Sequence, residues 1–509
     1  MNSSPHPVSW APPTPLLFAL LLVAGLAGCT RGPDYQRPAA VATMPSAYAG
    51  AGHEWKVATP QAHIPKGAWW ELFNDPVLNR LEGQAAEANQ QLQAAVARFA
   101  QARANADVAR SGQFPRLGAG VAATRQRDSA NRPLSSTGEA ADKAYTYGSF
   151  TLPFDFSYEV DLWGRVKRQV EAAQAITQAS AADVESIRLA IAAEVAADYF
   201  TLRALEAEKD TLEASVKTYQ KLFELTQNRR AGGLVSDLDV VQAETILRSA
   251  EAQLPAIALA HAKFGHALAV LTGQPPSLWQ LPPRTLEPLL PTIPAELPSA
   301  LLERRPDIAA AEQRMAAANA NIGIAAAAYF PAIRFNALAG FQSVDAGTLL
   351  DGPSRFWAAG PSLSVPLFDG GHRRANDETA KAMYEETVAR YRQTVLTAFA
   401  EVEDNLAAQR LLAEQAAGES AARQAARQQL AIAQNRYQSG LVSYMSVAAA
   451  QTTALERERT VVRLCGQQAV AAVALVKSLG GGWQRAGPGE APRATPAPTP
   501  GVTQPPPHE

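Results

Sequence analysis

The chain has 509 residues, 46 of them basic and 48 acidic, for a formal net charge of −2. No basic stripe accompanies that balance, which excludes the electrostatic footprint of a nucleic-acid binder. The composition is rich in Ala, Gln and Glu, residues that favour helix and close helix–helix approach.

At the N-terminus, Leu16 to Leu26 (LLFALLLVAGL) is an apolar run too short to span a bilayer and of the size of a signal-peptide core. It leads into Leu26-Ala27-Gly28-Cys29, and the stretch before it holds His6 but no Lys or Arg. This segment resembles the bacterial lipobox. The resemblance implies a signal peptide over 1–28 and, at Cys29, covalent N-acyl (palmitate-like) and S-diacylglycerol lipid. Thr30, being other than Asp, implies sorting to the outer membrane. Residues 29–68 then form a lipidated, extended segment. With Cys29 acylated, Cys465 has no disulfide partner and reads as a small packing residue.

The first half, 69–273, opens on an Ala-rich helical run that ends at Gln113-Phe114-Pro115. A weak, Gly-interrupted strand follows around Leu117 to Thr124. The next is clear: Phe150, Leu152, Phe154, Phe156 and Tyr158 alternate with Ser149, Thr151, Asp155 and Ser157, a period of two with one dry and one wet face. Val160-Asp161-Leu162-Trp163 then opens a proline-free run to Arg230. At 1.5 Å per residue that run predicts a rod of about 100 Å. Charged residues recur along it too often for a membrane span. Its apolar residues step by seven, with Val195, Leu202, Val216 and Phe223 beside Leu205, Leu212 and Tyr219, the spacing of left-handed coiled-coil packing. The run ends at Asn228-Arg229-Arg230-Ala231-Gly232-Gly233-Leu234-Val235-Ser236. A return helix is expected beyond it, with rows Leu247, Leu254, Leu268 and Ala250, Ile257, Phe264, Leu271. His261 falls on an apolar row and is expected in the core.

Residues 274–298 are a proline-rich connector that cannot be regular helix. The second half, 299–479, repeats the first. Tyr329-Phe330-Pro331 matches Gln113-Phe114-Pro115, and Val365-Pro366-Leu367-Phe368 matches Val160-Asp161-Leu162-Trp163. Its strands place Ile333, Phe335, Ala337, Ala339 and Phe341, then Trp357, Leu363, Val365 and Leu367, on dry faces. A second proline-free run, Gly371 to Ser439, reaches the same turn as Gly440-Leu441-Val442-Ser443. Each turn reverses a long helix into an antiparallel partner, with Gly232, Gly233 and Gly440 supplying the backbone angles of a helix end. The tail over 480–509 has the composition of a disordered segment.

Strand pattern alone leaves a soluble sandwich open; the two long helices argue against it. Four amphipathic strands cannot close a barrel, and an open edge in hydrocarbon leaves backbone groups unsatisfied. Such a protomer must borrow strands from copies of itself, and two, three or four copies remain open on these grounds.

Taken together, the matching segments run in order from Trp70-Glu71-Leu72-Phe73-Asn74-Asp75-Pro76 through Val160-Asp161-Leu162-Trp163-Gly164-Arg165. They continue through Arg304-Arg305-Pro306-Asp307-Ile308 and Leu367-Phe368-Asp369-Gly370-Gly371 to both Gly-Leu-Val-Ser turns. The chain resembles an outer membrane factor of the TolC fold, in the lipid-anchored NodT/OprM-like branch serving resistance-nodulation-division (RND) efflux systems. The resemblance implies an α+β membrane protein with an internal tandem duplication. It implies a homotrimer with a 12-stranded transmembrane β-barrel, four strands per protomer, and a long periplasmic α-helical coiled-coil barrel. It further implies a passive exit duct for drugs or other small molecules in the outer membrane, partnered by a periplasmic adaptor and an inner-membrane RND-type pump. By the same resemblance, Gly233, Leu234, Val235 and Ser236 with Gly440, Leu441, Val442 and Ser443 are the tips that meet the adaptor. Family members often ring the periplasmic mouth with carboxylates after the tip glycine. Here Asp237 and Asp239 follow the first tip, whereas Ser446 and Ala449 fill the second, so an aperture closed chiefly by Tyr444 and Met445 is expected.

An enzyme is not expected. Gly118-Ala119-Gly120 mimics part of a dinucleotide fingerprint but lies in a strand, and His261 and His266 do not share a helix face as metal ligands would. No cofactor besides the lipid at Cys29 is implied. A type I protein-secretion duct and a lipid-anchored coiled-coil scaffold are the remaining alternatives.

Overall fold

A computed structural model describes residues 30–40, 67–130, 144–282 and 304–481. Cys29 with the signal peptide, most of the connector, and the tail beyond 481 lie outside the described residues.

After a short 3-10 turn (Trp69–Phe73) come α1 (Pro76–Ala88) and α2 (Gln90–Ser111). Asp75 caps α1, its Oδ1 accepting from the amides of Val77 at 2.8 Å and Leu78 at 3.3 Å, with Pro76 pre-set for the first helical position. Strands β1 (Arg116–Ala119), β2 (Ala122–Asp128) and β3 (Tyr145–Val160) lead to α3 (Arg165–Ala231). Then follow α4 (Asp237–Glu251), α5 (Leu254–Leu271), α6 (Pro306–Ala327), β4 (Ala332–Ser343) and β5 (Arg355–Ser364). The chain continues as α7 (His372–Gln438) and α8 (Tyr444–Ser478). Both long proline-free runs fold as unbroken helices of 67 residues.

Two compact units divide the chain. The first holds residues up to 40, 95–181 and 310–393; the second holds 41–94, 182–309 and 394 onward. Each draws on both sequence repeats.

In the first unit all strands form one antiparallel sheet. β1 and β2 both pair with β3, so they are one strand interrupted at Gly120-Val121, and the Gly120 amide still donates to the Pro153 carbonyl at 3.0 Å. The spatial order is therefore β1/β2, β3, β4, β5. Register aligns the apolar positions across it: Leu117, Phe156, Ala337 and Ala359 stand in one row, and Tyr158, Phe335 and Pro361 in the next but one. Polar partners meet on the opposite face, where Glu159 contacts Arg165 at 2.8 Å and Arg334 at 3.5 Å. Opposite Pro153, position 340 must be glycine, because a Cβ there would lie 2.2 Å from the Leu152 carbonyl oxygen. The last strand stops at Ser364, short of the Val365 and Leu367 expected in it. Pro366 has no amide to give a ladder and restricts Val365 as well.

A strap over 30–40 crosses this unit. The Arg31 amide donates to the Trp163 carbonyl at 3.1 Å, Arg168 pairs with Asp34 at 2.7 Å, and Arg37 donates to the Tyr391 hydroxyl at 3.1 Å. Gly32, with φ +92°, lies on Gly323 so closely that a Cβ would be 2.4 Å from its Cα.

In the second unit the heptad rows meet as expected. Leu212 and Tyr219 of α3 pack with Leu247, Ala250 and Ile257 of the return segment. That segment is not one helix. It breaks between Glu251 and Leu254, with Pro255 in the first turn of α5, while its counterpart α8 runs 35 residues unbroken. His261 is not in the core. Its side chain is 41% exposed, and Nε2 lies 3.2 Å from Glu206 Oε1, a carboxylate at the rim of the packed row.

Candidate functional site

The two Gly-Leu-Val-Ser turns lie side by side in the second unit and are built alike. In the first, the Gly233 amide donates to the Arg230 carbonyl at 2.9 Å and the Leu234 amide to the Arg229 carbonyl at 2.9 Å. In the second, Gly440 donates to Tyr437 at 2.9 Å and Leu441 to Arg436 at 2.8 Å. This pair of bonds is the Schellman closure, and it needs a left-handed residue at the position after the cap. Gly233 (φ +73°) and Gly440 (φ +74°) supply it; Gly232, expected to share that role, has no positive φ.

Beyond the glycines the side chains divide by direction. Leu234 and Leu441 stand exposed at the apices, 71% and 68% accessible. Val235 and Val442 turn inward onto a cluster formed by Ala243, Tyr437, Tyr444, Val447 and Ala448. Arg229 joins the turns, its Nη1 donating to the Tyr437 carbonyl at 2.9 Å and its guanidinium lying 5.0 Å from that ring. Between the turns lies a groove of about 350 Å³, bordered by Arg229, Ser236, Asp239, Tyr437 and Ser443.

The two serines differ. Ser236 forms a reciprocal capping box with Asp239: its hydroxyl accepts the Asp239 amide at 3.3 Å, and Asp239 Oδ2 accepts the Ser236 amide at 3.1 Å. Ser443 makes no side-chain cap; the Ser446 amide donates to the Ser443 carbonyl at 3.2 Å, and a serine at 446 provides no reciprocal acid. Asp237 pairs with Arg230 at 2.5 Å, and that guanidinium holds its carboxyl below the usual range.

Of the residues expected at the aperture, Asp237 sits exposed and Asp239 half-buried in the first turn of α4 with these local partners. Tyr444 is 1% exposed, packed edge-on against Tyr437 at 5.5 Å, with its hydroxyl 3.2 Å from Gln451 Oε1. Burial pushes its phenol up to about 12. Met445, one position on, is 57% exposed.

Sequence reasoning set Tyr219 in an apolar heptad row and passed over the polar contacts that tie the two hairpins together. Tyr219 of α3 donates to the main-chain oxygen of Gln451 in α8 at 3.0 Å, and Thr226 of α3 lies 3.4 Å from the Tyr437 hydroxyl. The Asn-Arg pair that precedes each turn, Asn228-Arg229 and Asn435-Arg436, was a visible signal for Arg229. Among the described residues no group of His, Cys, Asp and Glu is arranged to hold a metal ion.

Comparison with known proteins fits this geometry. The outer membrane efflux protein family matches residues 81–274 and 297–481. The chain is 35% identical over 474 residues to the solvent efflux pump outer membrane protein SrpC of Pseudomonas putida, covering 92% of this chain and 97% of that protein. It is 34% identical over 471 residues to the outer membrane protein OprJ of Pseudomonas aeruginosa, covering 91% and 95%. Among solved structures, the outer-membrane channel OprN superposes with a TM-score of 0.82 at 29% identity, covering 90% of this chain and all of that one.

Proposed function

The chain belongs to the outer membrane efflux protein family, and we propose that three copies of it form the exit duct of a tripartite efflux pump. The observation that carries the reading is the sheet. Its inner strands are paired on both sides, while among the described residues nothing pairs with the outer edges of β1/β2 and β5. In hydrocarbon each unsatisfied backbone group costs several kcal/mol, so an apolar-faced sheet with two free edges must close on others like it. Three protomers of four strands give a barrel of twelve, wide enough to leave a lumen.

In this reading the paired Gly-Leu-Val-Ser tips meet a periplasmic adaptor, which joins them to an inner-membrane RND-type pump. The exposed Leu234 and Leu441 supply the apolar contact, and the Schellman closures hold them rigid. Asp237 and Asp239 line the approach to the periplasmic mouth, and Met445 narrows it. Tyr444 acts from behind, fixing the second tip through Tyr437. Cys29 carries the N-acyl and S-diacylglycerol lipid. The strap supports this, because Thr30 is held against Gly164 where β3 passes into α3. The cargo is drugs or other small molecules, and the duct itself is passive.

Deleting the gene and measuring intracellular accumulation of a fluorescent efflux substrate tests the reading. Accumulation should rise and return to normal when the intact chain is restored; unchanged accumulation with the pump and adaptor present would refute it.

A further inference from the structure

Aromatic rings mark all four places where strands meet helices in the first unit, and two of them pair. Trp163, between β3 and α3, stacks on Phe330, between α6 and β4, with centroids 4.7 Å apart and planes 25° from parallel. Trp163 Nε1 donates to the Pro331 carbonyl at 2.9 Å, and Arg31 covers the Phe330 ring at 4.7 Å. The stack exists because β3 and β4 are antiparallel neighbours: Val160 stands opposite Ile333, which brings the exit of one strand beside the entry of the other.

The internal repeat provides the same two groups on the outer strands. Phe114-Pro115 precedes β1 as Phe330-Pro331 precedes β4, each Phe two residues before its strand. Leu367-Phe368 follows β5 as Leu162-Trp163 follows β3. Among the described residues these strands have no neighbour on that side, and the apolar groups there are bare: the Phe114 ring is 62% exposed, the Phe368 ring 92% and Leu367 92%. A half-stack at each free edge of one sheet is an incomplete pair.

We propose that Phe368 of one copy stacks on Phe114 of the next, repeating across the seam the Trp163–Phe330 contact inside each protomer. The proposal rests on the three-copy reading. Closing the sheet with antiparallel pairing places the exit of β5 beside the entry of a neighbouring β1, the same relation that β3 and β4 show. Offset aromatic stacking adds to the area it buries, and a ring at the end of a strand pair pins register where a slip would otherwise be cheap. A second copy, not lipid, is thus the occupant of these two exposed rings.

The test introduces Phe114→Cys and Phe368→Cys together in a Cys465→Ala background, each single substitution serving as control. Membranes are treated with a short bifunctional thiol reagent, labelling with a monofunctional reagent establishes that both thiols react, and native mass is measured on the same preparation. The expected result is covalent trimer on a denaturing gel from the double variant and none from either single one. A trimeric native mass with reactive thiols and no ladder overturns the stack and leaves the three-copy reading intact. A monomeric mass overturns that reading instead. In parallel, Phe368→Ala should lower the temperature at which the trimer dissociates in detergent, while Phe368→Trp should preserve it. Equal temperatures for Phe368→Ala and the natural chain would mark the ring as facing lipid and end the proposal.

Discussion

The Tyr219 hydroxyl donates to the main-chain oxygen of Gln451 at 3.0 Å, binding the first repeat's long helix to the second repeat's return helix beneath the tips. Gln451 is fully buried, and its Nε2 has no partner, so the Tyr444 bond to its Oε1 is one of few that hold it. Replacing Tyr219 with Phe removes a buried hydrogen bond of about 1 kcal/mol, while the Gln451 carbonyl keeps its bond within α8. Amide exchange around Gln451 should accelerate roughly fivefold. No change in exchange would mean that apolar packing alone joins the hairpins.

The tips share a backbone but not a cap. Ser236→Ala should therefore loosen the first turn of α4 by about 1 kcal/mol, whereas Ser443→Ala should leave the first turn of α8 nearly unchanged. Exchange rates over the two turns report the difference directly. Equal losses would show that Ser443 is capped once the assembly is complete.

Met445 is the exposed bulky side chain beside the second tip, while Tyr444 points into the protomer. Met445→Ala should accordingly raise single-channel conductance. Tyr444→Phe, which keeps the ring on Tyr437, should raise it less. If Met445→Ala leaves conductance unchanged, that residue does not narrow the mouth.

Glu82 of α1 is 2% exposed, and its Oε1 has no partner. Burial pushes its carboxyl up from 4.5 to about 9. The folded chain thus holds a proton that the unfolded chain releases. The stability it contributes is whole below about pH 4.5 and declines as pH rises toward about 9, by at most about 1.4 kcal/mol per pH unit. Melting temperature should be higher at pH 5 than at pH 8, and Glu82→Gln, neutral throughout, should flatten that slope. An equal slope in the variant would place the titration elsewhere.

Much of the architecture was legible in the sequence because the signals were long. Two proline-free runs gave both helices of the coils to within two residues at each end, and strict alternation gave the faces of β3 and β4. The break before Pro255 was masked because the heptad stays in phase across it: Leu247 and Ile257 lie in one cluster on either side. Tyr444 belongs to a face with Val447, Ala448 and Gln451, spaced three, four and seven residues on, so its inward direction was readable from helical period. Contacts such as Tyr219–Gln451 and Trp163–Phe330 were not, because they join residues far apart in the chain and depend on which helices and strands become neighbours.

The most direct measurement is made on the purified, intact chain in detergent: its native mass, followed by its conductance in a planar bilayer. A mass of three lipidated chains, each 54.1 kDa less the signal peptide over 1–28, together with discrete channel openings, is the predicted result. A single-chain particle that passes no ions would contradict it.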